Sequence, residues 1–199
     1  MSASDQSGGP GGWWRRWRAK ARAERARVER ARRLYADAAA RARRPRLYTD
    51  FGVPDTPDGR FEMLGLEIAL VLRRLRSLGD PGTELARSLL EVLVEDLDRN
   101  LREMGIGDLS VGRYVKRMVG SLLARAEELA RILDRDDEAA LRAFLRRTAW
   151  PGVPEPSDDL VRAFAAEVAC TATRLQAIAD AALLAGRLDE KPEFSGESG

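Results

Sequence analysis

Apolar residues recur at helical spacing along most of this chain, and nowhere do they alternate as a strand requires. Between Thr83 and Met104, the side chains of Ala86, Leu89, Leu90, Leu93, Leu97 and Leu101 fall on one helical face. Val111, Val115, Met118, Leu122, Leu129 and Leu133 do the same between Ser110 and Leu133. From Asp158 to about Gly186 the inward face is Val161, Phe164, Val168, Ala172, Leu175, Ala179 and Ala182. Residues 59–78 are apolar nearly all round, as a central helix covered on several sides must be. A shorter helix opens at Asp136 and ends before Trp150. The pattern predicts an all-α fold of about five core helices, with Asp58, Thr83, Ser110 and Ser157 as N-caps.

A length of 199 residues, 44% of them hydrophobic, suits one main core with appendages. Two turn-rich stretches punctuate it, LYTDFGVPDTPDGR over 47–60 and PGVPEP over 151–156. In the first, Leu47, Tyr48, Phe51 and Val53 give anchors, so an ordered linker without regular structure is expected. The division that follows is a flexible leader and basic helical arm over 1–46, a helical domain over 47–187 and a disordered tail over 188–199.

Charge is unevenly spread. Trp13 to Arg46 holds 14 basic and 3 acidic residues, about +11, although the whole chain carries only +2. Alanine and arginine favour a helix there, but arginines lie on every face and the stripe that would pack it on a core is weak, so the helix is expected to project. Trp13, Trp14 and Trp17 cluster with Arg15, Arg16 and Arg18 at its start. Indoles beside guanidiniums suit an anionic bilayer surface, or the phosphates and stackable bases of RNA, as on a ribosome. A solvated arginine-rich helix is the plainer alternative, and a mitochondrial presequence has a similar composition.

Several functions are excluded or disfavoured by composition. No histidine is present, which removes the Ser/His/Asp triad, the Cys/His dyad and histidine haem ligation. Cys170, the one cysteine, lies in an alanine-rich apolar helix and reads as an inert core thiol. Glu91, Glu95 and Asp98 form a carboxylate stripe, yet a di-iron bundle adds Glu-x-x-His motifs that this chain cannot make. No phosphate-binding glycine loop occurs, and an aromatic content of 6% argues against a sugar cleft. Neither an enzyme nor a bound cofactor is expected. The most apolar run, Phe61 to Leu72, is too short to span a bilayer and holds two glutamates.

One stretch, EDLDRNLREMGIGD over 95–108, breaks an electrostatic rule. Carboxylates at an exposed helix C-terminus cost roughly 0.3 to 1 kcal/mol each, and the bases Arg113, Lys116 and Arg117 open the next helix, where the dipole also disfavours them. Two antiparallel helices joined by a tight loop would let these acids and bases pair across the corner. A surface presenting both signs of charge to a partner is the functional reading of the same residues.

LYTDFGVPDTPDGRFEMLGLEIALVLRRLRSLG followed by EDLDRNLREMGIGDLSVGRYVKRM resembles the ubiquinol-cytochrome c chaperone family, over roughly residues 34–185. The matching positions are Asp55, Asp58, Gly59 and Arg60 in the first segment. In the second they are Asp96, Asp98, Leu101, Arg102, Glu103, Met104, Gly105, Gly107, Asp108, Val111 and Lys116. Glu67 departs from the pattern, since many relatives are expected to carry histidine there.

The resemblance implies an all-α chaperone that binds newly made cytochrome b and assists assembly of the cytochrome bc complex. Its mitochondrial relatives act with a small partner protein near the ribosomal tunnel exit. A holder of a nascent membrane protein needs an apolar groove rimmed with charge. Phe61, Leu64, Ile68 and Leu72 are the expected groove wall, and Glu95, Asp96, Asp98, Arg102, Glu103, Asp108, Arg113 and Lys116 the expected client-facing rim. The expected location is the cytoplasm, peripheral to the inner face of a bacterial membrane, or the matrix side in a mitochondrion. The expected partners are cytochrome b apoprotein, an anionic membrane surface and a ribosome, without sequence-specific nucleic-acid contact.

Overall fold

The computed structural model describes residues 10–188; the start of the leader and the tail from residue 189 lie outside the described residues. The elements are α1 (Pro10–Ala42), α2 (Pro45–Thr49), α3 (Pro57–Arg76), α4 (Gly79–Glu103), α5 (Asp108–Asp134), α6 (Glu138–Thr148), α7 (Asp158–Ala177) and α8 (Asp180–Leu184). No strand occurs among the described residues, and the helices share one hydrophobic core. The fold is an all-α single domain with a long N-terminal helix.

Helix α3 is central, packed against α1, α4, α5 and α7. Its near-continuous apolar surface is what such a position demands, and Ile68, Leu72 and Leu75 are fully buried. Around Trp150 the two linkers are locked together. The Phe51 and Trp150 rings lie 5.0 and 5.6 Å from the ring of Phe164, and the Trp150 indole N–H donates to the Phe51 carbonyl at 3.0 Å. The 47–60 linker is anchored as its apolar residues suggest, with Leu47, Phe51 and Val53 buried, although it begins inside the short helix α2.

Helix α1 differs from the sequence expectation along half its length. Trp13 to Lys20 are exposed, but Ala31, Leu34, Ala38 and Ala42 are buried against α3 and α4. These positions do trace one helical face. It is built mainly of alanine, whose small side chain gives a weak stripe but allows close helix approach.

Other details also shift. Thr56, not Asp58, caps α3, accepting from the Gly59 amide at 3.2 Å. Helix α4 begins four residues before Thr83, whose hydroxyl bonds back to the Gly79 carbonyl, because Pro81 is tolerated in a first turn that needs no amide donor there. Gly107 rather than Ser110 precedes α5, and Asp137 rather than Asp136 caps α6. Ser157 caps α7 as expected. That helix ends at Ala177 because Ile178 is extended, and Ala179 is exposed. Cys170 is exposed too. It lies two residues from both Val168 and Ala172, so at about 100° per residue it faces away from the core they join.

Candidate functional site

Three carboxylates of α4, those of Glu84, Glu95 and Asp96, face α1. Arg27 donates to Ser88 at 3.0 Å and to Glu84 at 3.1 Å, Arg32 to Glu95 at 3.2 Å, and the Tyr35 hydroxyl to Asp96 at 2.6 Å. The numbers rise together on both helices, so α1 and α4 run parallel with arginines against acids. Burial, and then Asp96, push the Tyr35 phenol well above its ordinary range, keeping it a proton donor. Exposed pairs of this kind are each worth about 0–1 kcal/mol, so the seam chiefly sets which face of α1 meets α4.

The corner between α4 and α5 closes differently from the expected acid–base pairing. Arg102 bridges it, binding Asp98 one turn back at 2.6 Å and Asp108 across the loop. Those two carboxylates hold the Arg102 guanidinium protonated beyond its ordinary range, Asp98 more strongly than Asp108. Arg113, Lys116 and Arg117 are exposed and form no ion pair among the described residues; Arg117 lies instead over the Tyr114 ring at 4.8 Å. The physical reason is reach, since one arginine at the end of α4 already spans both helix ends. Gly105, at φ +82°, makes the turn in the left-handed region that favours glycine.

Beside this corner opens a groove of about 820 Å³. Leu64, Leu97, Leu101, Ile106 and Met118 line it together with Phe61, Met104 and Tyr114. Met104 and Tyr114 are among the few large apolar side chains that stay exposed, at 67% and 39%. Asp55, Asp58, Arg60, Asp96 and Glu103 also line it, with Ala39, Ala42 and Arg43 from the end of α1.

The groove brings together the two sequence segments singled out above, VPDTPDGR and EDLDRNLREMGIGD. The first forms one wall because Gly59 packs against Pro54, where a Cβ would lie 2.0 Å from the carbonyl oxygen. Asp55 and Arg60 then pair at 2.6 Å, and Arg60 holds the Asp55 carboxyl below its ordinary range.

Of the expected groove wall, Phe61 and Leu64 lie in this groove, whereas Ile68 and Leu72 are buried in the core about one and two turns beyond Leu64 along α3. Of the expected rim, Asp96 and Glu103 line the groove. Glu95, Asp98, Arg102 and Asp108 occupy the adjoining ion-pair seam, and Arg113 and Lys116 are exposed on α5 outside the lining. Sequence reading missed Arg43, Ile106, Tyr114 and the groove-facing side of Met118. The GIGD turn was the available signal, since it returns the start of α5 to the end of α4.

Two other features frame the site. Glu67 is buried and receives Arg41 at 3.0 Å and Arg44 at 3.3 Å, which fastens the end of α1 to α3. Burial pushes its carboxyl up, against the pull of both guanidiniums. It takes no part in the groove lining. At the far end of α1, Trp13, Trp14 and Trp17 are each more than half exposed and stack edge-on, with centroids 4.4 and 6.0 Å apart. Arg15, Arg16 and Arg18 surround them in solvent, and the first ion pair along α1 among the described residues joins Glu24 to Arg27. No helix among the described residues is long and apolar enough to cross a membrane.

The family model described as "Ubiquinol-cytochrome C chaperone" matches residues 49–191, a span that contains the groove lining from Asp55 to Met118. Among solved structures, the chain is similar to a Cbp3 homolog from Brucella abortus, with 32% sequence identity, a TM-score of 0.74, and coverage of 87% of this chain and 98% of that one. No curated protein matches the sequence.

Proposed function

Because the chain belongs to the ubiquinol-cytochrome c chaperone family, a family of assembly chaperones and not of enzymes, we propose that it holds newly made cytochrome b in the groove between α3, α4 and α5. One observation carries the reading. The two segments that mark the family resemblance, far apart in sequence, become walls of one apolar groove rimmed with charge. Client binding needs exposed apolar surface, and Met104 and Tyr114 supply it there. Methionine adapts its shape to a partner more readily than branched side chains do.

The exposed start of α1 fits a second task, holding the chaperone near the bilayer where its client is inserted. Three clustered indoles beside arginines that pair with no acid among the described residues match the needs of an anionic interface, with each cation contributing on the order of 1 kcal/mol near the surface. In this reading the protein is peripheral to the membrane.

Co-purification of cytochrome b from the native membrane, run beside thermal melting, tests the groove. Glu103→Lys should lose most of the captured cytochrome b at an unchanged melting temperature, because Glu103 is an exposed groove residue. Asp98→Lys should perturb the Arg102 bridge and leave capture largely intact. Undiminished capture by folded Glu103→Lys would rule the groove out as the client site.

A further inference from the structure

We propose that the groove selects by charge, taking an apolar helical stretch of the client that carries lysine or arginine at its flank and rejecting one flanked by acids. This rests on the reading of the groove as the client site and adds the class of segment it accepts.

Four carboxylates line the groove, those of Asp55, Asp58, Asp96 and Glu103, against the two guanidiniums of Arg43 and Arg60. Their engagements are unequal. Arg60 is committed to Asp55 at 2.6 Å, so that pair presents little net charge. Asp96 is shared among Tyr35, Asn100 and Arg99. Asp58 and Glu103 are exposed and form no ion pair among the described residues, and they come from the first turn of α3 and the last turn of α4. Arg43 alone opposes them from the end of α1. The surplus is therefore negative. At Glu103 it is reinforced by the C-terminal end of α4, where the helix dipole also favours a cation.

Size narrows the occupant. A helix with side chains is 10–12 Å across and rises 1.5 Å per residue, so about 820 Å³ accommodates roughly five to seven residues, or nearly two turns. That is enough to seat the end of a transmembrane helix together with its flank. In membrane proteins the flank on the cytoplasmic side is enriched in lysine and arginine. An apolar floor bordered by carboxylates that no ion pair among the described residues neutralises is the complement of such a segment.

The chain's own basic tip is a rival occupant with suitable charge. It cannot reach the groove of the same molecule, because Trp17 and Ala39 lie on one unbroken helix, roughly 33 Å apart along its axis. Only a second copy could insert it.

The test is fluorescence anisotropy with the full chain and three labelled peptides that share one apolar helical stripe and differ in flank: lysine and arginine, neutral, or acidic. The basic-flanked peptide should bind about tenfold more tightly than the acidic-flanked one, and the gap should narrow as salt rises. Asp58→Lys combined with Glu103→Lys should reverse the order. Glu103→Gln, a milder change less able to disturb folding, should shrink the gap severalfold. Equal binding of all three peptides would overturn charge selection and leave the groove reading standing. No binding by any of them would overturn both. If sedimentation shows the chain alone as a dimer, and Glu103→Lys and Trp14→Ala each abolish it, the groove belongs to a second copy's tip and the proposal fails.

Discussion

The two halves of α1 are both rich in arginine and do opposite things. Trp13 to Lys20 stand in solvent, while Ala31, Leu34, Ala38 and Ala42 form part of the core. Placement accounts for the difference. In the second half small apolar residues return to one face, and the arginines beside them find carboxylates on neighbouring helices, Arg32 with Glu95 and Arg41 with Glu67. In the first half no face is free of charge, and tryptophan occupies the places where alanine would allow close approach. A composition can therefore build either a scaffold or a free surface, according to which residues share a face and what lies opposite.

The sharpest way to break this comparison is to truncate the packed half. Leu34→Ala removes a fully buried side chain and should cost about 2–5 kcal/mol in denaturant unfolding, whereas Trp14→Ala in the exposed half should cost under about 0.5 kcal/mol. Similar losses at both positions would mean that the halves are not distinct.

A smaller effect is expected at the clamp between α1 and α3. Glu67→Gln keeps the size of the side chain and one accepting oxygen but cannot titrate, and because burial disfavours the Glu67 charge the expected change at neutral pH is within about 1 kcal/mol. The pH profile sharpens it. Burial raises the folded-state pKa of Glu67 above its unfolded value, so the folded chain binds this proton more tightly. Its contribution favours the fold below the ordinary carboxylate range and is lost as pH rises through the raised value. Melting temperature against pH should therefore show the native chain gaining on Glu67→Gln as the solution is acidified. Parallel profiles would show that Glu67 titrates as an ordinary carboxylate.

The smallest effect on stability, and the clearest on binding, belongs to the tip. Replacing Trp13, Trp14 and Trp17 together by alanine should leave melting nearly unchanged and weaken flotation with anionic liposomes, which itself should fade as salt rises. Flotation that ignores the substitutions, or retention on RNA in place of lipid, would move the arm to its nucleic-acid reading.

Much of the fold was legible because leucine spacing on α4 and α5 leaves a helix no other face to bury. Prolines were harder to read. Pro81 looks like a break before Thr83, yet it sits inside the first turn of α4. The acids of α4 could be flagged from sequence as misplaced for their own helix, but the partners of Glu95 and Asp96 lie on α1, about sixty residues upstream, and no local pattern encodes that pairing. Half of the groove was visible for the same reason. Phe61, Leu64, Asp96 and Glu103 belong to stretches that looked unusual on their own, while Tyr114 and Arg43 acquire their place only when three helix ends converge.

The unbroken course of α1 also fixes a rotation. Successive residues of a helix turn by about 100°, so the direction in which the tryptophans point is tied, through every residue between, to the Glu67 clamp beside the groove. Removing seven residues from the exposed stretch would shorten the reach by about 10 Å and turn the indoles by only about 20°. Removing two would shorten it by only about 3 Å and swing them about 200°. The helix thus works as a keyed shaft, and the count of residues along it sets which way the groove faces when the tip is held.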